Sequence, residues 1–551
     1  MRAFAELLDR LVLTPSRNGK IRLLVDYFGR TPDPDRGYAL AAITRDLDIA
    51  GIKPGILRAL ITERMDEILF GYSYDYVGDL AETVSLVWPE PEEPVRANRD
   101  PSLGEVVETF LETSRSDGPA VLTDLLDRLD SSGRYAAIKL FTGGMRIGVS
   151  ARLAKQALAE FGGKDVTEIE ELWHGLKLPY EDMFAWLEDK AEKPEHGALA
   201  LFRPVMLATA LEEADYDRIV PETYAAEWKW DGIRVQLVAE GERRRVYSRT
   251  GDDIGHSFPD LLEAMNFEGS IDGELLVGHP EDGAVGTFSD LQQRLNRKTV
   301  SAKLMKSHPV FVRAYDLLSE GEDDLRALPF SARRKRLKNF IATLDPARFD
   351  LSEHIAFADW CELNDLRCDP PHPIIEGVMI KRHESAYVPG RPKGEWFKWK
   401  RDPFTIDAVL MYAQRGHGKR SSFYSDYTFG VWTLDEEDRQ ILVPVGKAYF
   451  GFTDAELKLI DKYVRDHTVD RFGPVRSVKA TPESGLVLEI AFEGLQSSSR
   501  HKSGVAMRFP RVSRLRWDKP SAEADTLDNL KQLLDENRGK ASRVRPVRDH
   551  G

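Results

Sequence analysis

Cysteine is scarce in this chain, long apolar runs and internal repeats are missing, and each absence removes a class of function. Two cysteines in 551 residues, Cys361 and Cys368, supply neither a four-cysteine zinc module nor a disulfide framework. Structural thiols are expected instead. No apolar stretch is long enough to span a bilayer. The opening MRAFAELLDRLVLTPSRNGK breaks its apolar positions with Asp and Glu and lacks a small-residue cleavage pattern. It reads as an amphipathic helix rather than a leader, so a cytoplasmic protein is expected. Hydrophobic residues at 42% and charged residues at 30% are ordinary for globular domains and exclude a disordered or fibrous chain. The length implies three or four folding units.

A net charge of −14 argues against a polyanionic partner until its distribution is examined. Residues 381–420 hold ten Lys or Arg against four Asp or Glu, and residues 496–519 hold seven against one. Solvated basic faces are one reading of such runs; a nucleic-acid surface is the other.

Residues 1–200 repeat apolar positions three or four apart, as in Phe4, Leu7, Leu8, Leu11 and Ile21, Leu24, Phe28, and predict an all-α unit. EEPVRANRDPSL at 92–103 reads as a loop within it, and the proline-bearing 191–204 as the linker that closes it. From about 205 the runs VQLVAE, RRVYSR, SIDGELLVG, VFVRAYDLL, EGVMIKR and EWFKWK predict an α+β domain of antiparallel sheets over 201–402. The strands IDAVLMYAQ, FGVWTL, ILVPVGKAY and GLVLEIAFEG suit a small OB-type β-barrel over 403–520. Residues 521–551 read as a helix and a basic tail.

The sharpest chemical signal is EWKWDGIRVQL, in which Lys229, Asp231, Gly232 and Arg234 form K-x-D-G-x-R. A lysine amine becomes a nucleophile when burial or a nearby cation favours its neutral form, and Arg234 is such a cation. Gly232 would let the backbone approach a ligand. An exposed strand-end lysine is the plain alternative. Further elements follow in order: Glu274 in DGEL, Tyr315 in AYDLL, Glu376 and Lys381 in EGVMIK, and Lys398 and Lys400 in WFKWK. Strand alternation sets Lys398 and Lys400 on one face, toward a phosphate, and Phe397 and Trp399 on the other, toward a core. Glu274 and Glu376 are either ordinary surface carboxylates or, beside a nucleotide, hard oxygen ligands for Mg²⁺.

The ordered series KWDGIR, SRTGDD, DGELL, RAYDLLSEG, EGVMIK, WFKWK and RLRWDK resembles the motifs of the covalent nucleotidyltransferases, and among them the ATP-dependent DNA ligases. FRPVMLA at 202–208 is similar to the entry of their adenylation domain, FTGGMRIGVSARLAKQALAE to their helical DNA-binding domain, and HKSGVAMRFPRVSRLRWDK to the end of their OB domain. The resemblance covers nearly the whole chain. It implies three domains: a helical DNA-binding domain, an α+β nucleotidyltransferase domain of ATP-grasp-like antiparallel sheets, and an OB barrel.

On those motifs Lys229 is implied as the carrier of AMP and Glu227 as the partner of the adenine amino group. Tyr315 is implied to stack on adenine. Arg234, Arg249 and Glu274 would hold the ribose and phosphate region, and Glu274 and Glu376 the metal. Lys381, Lys398 and Lys400 would meet the α-phosphate, and Arg516 and Lys519 the pyrophosphate. Arg146, Arg152 and Lys155 in GGMRIGVSARLAK would contact DNA phosphates. Phe288 falls where the family places an aromatic in the minor groove, a buried core residue being the alternative. Val512 occupies a position where a second aromatic is expected. ATP, Mg²⁺ (with Mn²⁺ as a substitute) and nicked duplex DNA are the implied cofactors and partner, for a monomer associated with the nucleoid and engaged in DNA repair. An NAD-dependent ligase shares the K-x-D-G core but calls for a zinc module and a nicotinamide-binding segment not seen here. A capping enzyme or RNA ligase leaves the helical front unexplained. A DNA-binding scaffold with a dead site conflicts with the intact Lys229, Glu274, Glu376 and Lys398.

Overall fold

The computed structural model describes every residue except 78, 91–98, 195–199, 217, 281–283, 296, 298, 416–423, 474, 500 and 543–551. Most of the expected 92–103 loop, the centre of the 191–204 linker and the basic tail therefore lie outside the described residues. Two compact units emerge. One comprises Met1–Ile169, Leu176–Pro194 and Pro403–Leu534; the other comprises Glu170–Gly175, Glu195–Asp402 and the residues from Asp535 onward.

The N-terminal part of the first unit is helical from Arg2–Leu13 to Glu181–Leu187. Phe4, Leu7, Leu8 and Leu11 are buried on one stripe of the first helix, and Ile21, Leu24 and Phe28 on the second. The periodicity in the sequence is the packing face. Helix starts are fixed by side-chain caps, Ser16 accepting from Gly19 N and Ser150 from Leu153 N, which satisfies amides that have no partner within the helix.

The C-terminal part of this unit is a β-barrel region with an OB-like sheet. The Phe404–Arg415 strand pairs with Tyr424–Leu434, Val475–Val478 and Val487–Phe492, the last of which pairs with Arg511–Arg516. One strand serves three partners because it is long and changes register twice against Tyr424–Leu434, as bulged barrel strands do. Leu527, Leu530 and Leu534 join the barrel core, so the start of the last helix packs against the barrel.

The second unit has two sheets. The larger runs Arg243–Ser248, Ile233–Glu240, Gly269–His279, Val310–Glu320 in antiparallel order, and the Phe330–Ile341 helix buries Leu337 and Ile341 in its core. The smaller runs Thr209–Ala210, Trp396–Lys400, Ile375–Arg382, Tyr224–Trp230, His354–Ile355. Only two residues separate Tyr224–Trp230 in the small sheet from Ile233–Glu240 in the large one. Among the described residues no helix is long and apolar enough to cross a membrane.

Candidate active site

Lys229 stands near the end of the Tyr224–Trp230 strand. Gly377 pairs with both Lys229 and Lys400, Met379 with both Glu227 and Lys398, and Lys381 with Ala225 and Trp396. Directly paired residues share a face of an antiparallel sheet, so Glu227, Lys229, Lys381, Lys398 and Lys400 all lie on one side. Ala226, Val378, Ile380 and Phe397 are buried on the other, with Trp228 and Trp399 packed against them. The WFKWK strand thus adopts the alternation expected of it.

Glu376 reaches the lysine side through an irregularity. The register shifts between Ile375 and Gly377, which makes Glu376 the extra residue of a bulge and re-aims its side chain. Gly377 has φ +146°, and a Cβ there would stand 2.2 Å from the Trp399 carbonyl oxygen; the strand at this bulge admits glycine alone. Lys229 Nζ donates to Glu376 Oε2 at 2.9 Å, and Lys400 Nζ lies 3.3 Å from the same oxygen. Burial pushes the Glu376 carboxyl up, but these two ammonium groups outweigh it and hold it below its usual value.

At the other end of the strand pair the arrangement is closed. Lys381, 1% exposed, lies over the rings of Tyr315, Trp396 and Phe330 and donates to Glu227 Oε2 at 3.0 Å. Ser352 Oγ donates to the same oxygen at 3.2 Å. Burial would raise the Glu227 carboxyl, yet Lys381, His354 and Arg334 together hold it down at about 2. Its Oε1 is buried and makes no short hydrogen bond, with His354 Nε2 at 3.5 Å and Arg334 Nη1 at 3.8 Å in ion-pair range. Lys381, expected at the α-phosphate, is here paired with Glu227 and covered by these rings.

The large sheet brings Arg234 opposite Glu274 and Gln236 opposite Asp272. The Arg234 guanidinium donates to the Met206 carbonyl at 2.7 Å, Asp272 Oδ2 at 2.6 Å and the Tyr387 hydroxyl at 3.0 Å. It is held inside the sheet, with only Nε left over. Gly232 also has a reason internal to the fold: a Cβ there would meet the Leu275 carbonyl oxygen at 2.3 Å. Glu274 is pushed up to about 7, by burial first and by Glu376, against the pull of Lys229 and Arg234. Tyr315 is raised well above the phenol range by burial.

Cations crowd the open end. Burial and then Arg391, Lys400, Lys229 and Arg249 hold the Lys398 ammonium below its ordinary value. So many like charges in one place are stabilised by an anion. Arg391, in VPGRPKGEW, was missed from the sequence, as were Ser352, Arg334 and the fully buried pair of Arg333 with Asp316, joined at 2.8 and 2.9 Å. Asp316 was within reach, standing beside Tyr315 in AYDLL. Arg333 and Arg334 carried no signal beyond a basic helix.

The remaining expected residues belong elsewhere. Arg516 and Lys519 lie in the first unit, where both engage Asp407 Oδ2, at 3.2 and 2.7 Å. Arg146 is exposed, with φ 52°, and approaches Asp79 at 3.5 Å; Arg152 is exposed and Lys155 half-buried on the Ala151–Gly162 helix. Phe288 is half-buried at the start of Phe288–Gln292 in the second unit. Val512 is 2% exposed in the barrel core, so its position faces inward. The exposed aromatic of RFPRVSR is Phe509, with φ 51° and Arg508 stacked on its ring at 5.4 Å.

Comparison with known proteins shows the family of the chain. Residues 205–400 match the family model "ATP dependent DNA ligase domain", 1–159 "DNA ligase N terminus" and 420–519 "ATP dependent DNA ligase C terminal region". A probable DNA ligase of Koribacter versatilis is 30% identical, over 97% of this chain and 96% of its own. The chain belongs to the ATP-dependent DNA ligases. DNA ligase 1 of Korarchaeum cryptofilum is 28% identical over 97% and 98% of the two chains. The solved structure Pmar-Lig_Pre shares the fold, with a TM-score of 0.59 at 16% identity, covering 93% of this chain and 99% of its own.

A ligase of this family uses ATP and binds DNA, and the residues present fit the nucleotide. The unsatisfied Glu227 Oε1 suits an amino donor, and the cations around Lys398 suit phosphates. A divalent ion fits as well. No group of three or more His, Cys, Asp or Glu that could hold a metal occurs among the described residues, but Mg²⁺ takes one or two carboxylates and completes its shell with water and substrate phosphate. Glu274 and Glu376 are two neighbouring carboxylates whose mutual repulsion such an ion relieves.

Proposed function

We propose that this ligase seals 5′-phosphate/3′-hydroxyl nicks in duplex DNA through AMP carried on Lys229. The reading rests above all on one observation: Lys229 Nζ stands between a carboxylate pair and a cluster of otherwise excess cations. Deprotonated Nζ attacks the α-phosphorus of ATP; a P–N bond forms and the bond to pyrophosphate breaks. AMP then passes to the 5′-phosphate at the nick, releasing the lysine. The 3′-hydroxyl attacks that activated phosphate, forming the phosphodiester and expelling AMP. Such transfers depend on positioning and on charge stabilisation.

In this reading Lys398, Lys400, Arg391 and Arg249 receive the phosphates, and Glu227 takes the adenine amino group, with Lys381 holding Glu227. Tyr315 lines the adenine site, and Arg234 braces the sheet beneath it. Mg²⁺, or Mn²⁺ in its place, held by Glu274 and Glu376, would supply charge neutralisation at the phosphates. Arg516 and Lys519 orient pyrophosphate after leaving Asp407. Arg146, Arg152 and Lys155 meet DNA phosphates, and Phe288 and Phe509 present aromatic surface to the duplex. A monomeric, cytoplasmic repair enzyme is the setting we assign. Three domains divide the labour: 1–200 for DNA, 201–402 for adenylation and 403–520 for pyrophosphate and duplex, with 521–551 as a C-terminal helix and basic tail.

The test is incubation with ATP labelled in the α-phosphate, then with singly nicked duplex. Label should pass from protein to DNA in the wild type, and Lys229→Ala should take up none while still binding DNA. Acid-labile, base-stable label on the Lys229→Ala protein would move the nucleophile elsewhere. Arg516→Ala should slow protein labelling more than sealing of a nick already carrying AMP; equal losses would remove its pyrophosphate role.

A further inference from the structure

Beside the Lys381 cage, two buried polar atoms of opposite kind lack a hydrogen-bond partner: Glu227 Oε1, an acceptor, and Arg334 Nη1, a donor. They stand 3.8 Å apart, close enough for an ion pair but too far for a hydrogen bond. The groups that carry them are fixed. Arg334 Nη2 donates to the Ser352 carbonyl, Ser352 Oγ donates to Glu227 Oε2 at 3.2 Å, and Lys381 holds that same oxygen at 3.0 Å. His354 Nε2 lies 3.5 Å from Oε1, at the margin of hydrogen-bond reach. The charges of this acceptor and donor compensate each other, but on two elements locked through a third neither completes a short hydrogen bond, and a buried group left so is costly unless something completes it.

Adenine presents the complementary pair. Its 6-amino donor is flanked by ring-nitrogen acceptors, N7 on one side and N1 on the other. We infer that Arg334 reads the nucleobase: Nη1 donates to a ring nitrogen beside the amino group while Glu227 Oε1 accepts from the amino group itself. This rests on the reading of Glu227 as the amino-group acceptor and adds to it a second, opposite determinant carried by the Phe330–Ile341 helix. A base with a carbonyl in place of the amino group would set oxygen against the Glu227 carboxylate, so the pair selects adenine by polarity and not by size alone.

The experiment compares lysyl-AMP formation from ATP, 1-deaza-ATP and 7-deaza-ATP by the full-length wild type and Arg334→Met. One of the two deaza nucleotides should be used about tenfold to a hundredfold less well than ATP by the wild type, the range expected for loss of one charge-assisted hydrogen bond. Arg334→Met should lose a similar factor with ATP and no longer distinguish ATP from that analogue. A loss of equal size with all three nucleotides, or no loss at all, overturns the inference. If Arg334→Met does not fold, Arg334→Lys is read in the same way, its single ammonium being unable to serve both the Ser352 carbonyl and the base. Purine riboside triphosphate, which lacks the amino group, tests Glu227 separately. Its use as readily as ATP would remove the Glu227 reading while the deaza comparison still judges Arg334.

Discussion

Two lysine–glutamate pairs bridge the same two strands, and they are near mirror images in sequence. Lys229 of Tyr224–Trp230 meets Glu376 of Ile375–Arg382 at 2.9 Å, while Lys381 of the second strand meets Glu227 of the first at 3.0 Å. Residue types, strands and distances match; burial does not. The side chains of the first pair are 23% and 22% exposed, those of the second 2% and 2%. The first lies at the open end, where Lys400 shares the carboxylate and further cations crowd Lys398. Rings of Tyr315, Phe330 and Trp396 seal the second. One strand pair thus holds one ion pair open to solvent and another sealed from it, and what separates them is the covering from other elements.

The largest expected effect separates the ends by stability. Lys381→Ala strands a buried carboxylate and should cost about 3–5 kcal/mol, as breaking a buried ion pair does. Lys400→Ala, on the open side, should cost less than about 1 kcal/mol. Denaturant unfolding of both variants measures the difference, and similar losses would mean that the Lys381 end admits water.

This contrast also marks how far the sequence could be read. Alternation in WFKWK made the shared face of Lys398 and Lys400 legible, because period-two patterning depends only on the strand. The helical stripe of Phe4, Leu7, Leu8 and Leu11 was legible for the same local reason. The bulge that turns Glu376 toward Lys229 was not, since it exists only in the pairing of two strands about 150 residues apart in the chain. Nor was the burial of Lys381: its strand shows the right face, but Phe330 and Trp396, which close that face, come from a helix and another strand. Arg334 was invisible for a similar reason, a cation in SARRKRL being indistinguishable from its neighbours until the helix is docked.

A smaller effect should separate the ends by what each reads. Lys398→Ala removes a cation from the phosphate end, so its loss in lysyl-AMP formation, about tenfold to a hundredfold for a charge-assisted contact, should be the same for ATP and for purine riboside triphosphate. Glu227→Gln should impair ATP use and leave purine riboside triphosphate nearly untouched. Steady-state kcat/KM for the four combinations decides it. A base-dependent loss in Lys398→Ala, or a base-independent one in Glu227→Gln, would break the division of labour.

The smallest effect concerns the carboxyl that looks onto the open end. Glu274 is pushed up to about 7, chiefly by burial and then by Glu376, whereas an unfolded glutamate titrates near 4.3. The folded chain therefore binds a proton that the unfolded chain releases, and stability must fall as pH rises from about 4 through about 7. Glu274→Gln has nothing to titrate at this position. In metal-free protein the two should unfold at nearly the same temperature at pH 5, and the glutamine variant should be the more stable at pH 8, by about 1–2 kcal/mol after allowance for water reaching the open end. That amounts to a few degrees in a chain of this size. Mg²⁺ should close the gap from the other side, because an ion bound to Glu274 and Glu376 stabilises the wild type and finds one carboxylate fewer in the variant. Thermal unfolding at pH 5 and 8, with and without Mg²⁺, gives four differences between the two proteins. A difference unchanged by pH would show that the Glu274 carboxyl is solvated like any surface glutamate, and the contrast between the two ends of the strand pair would then be confined to Lys381 and Glu227.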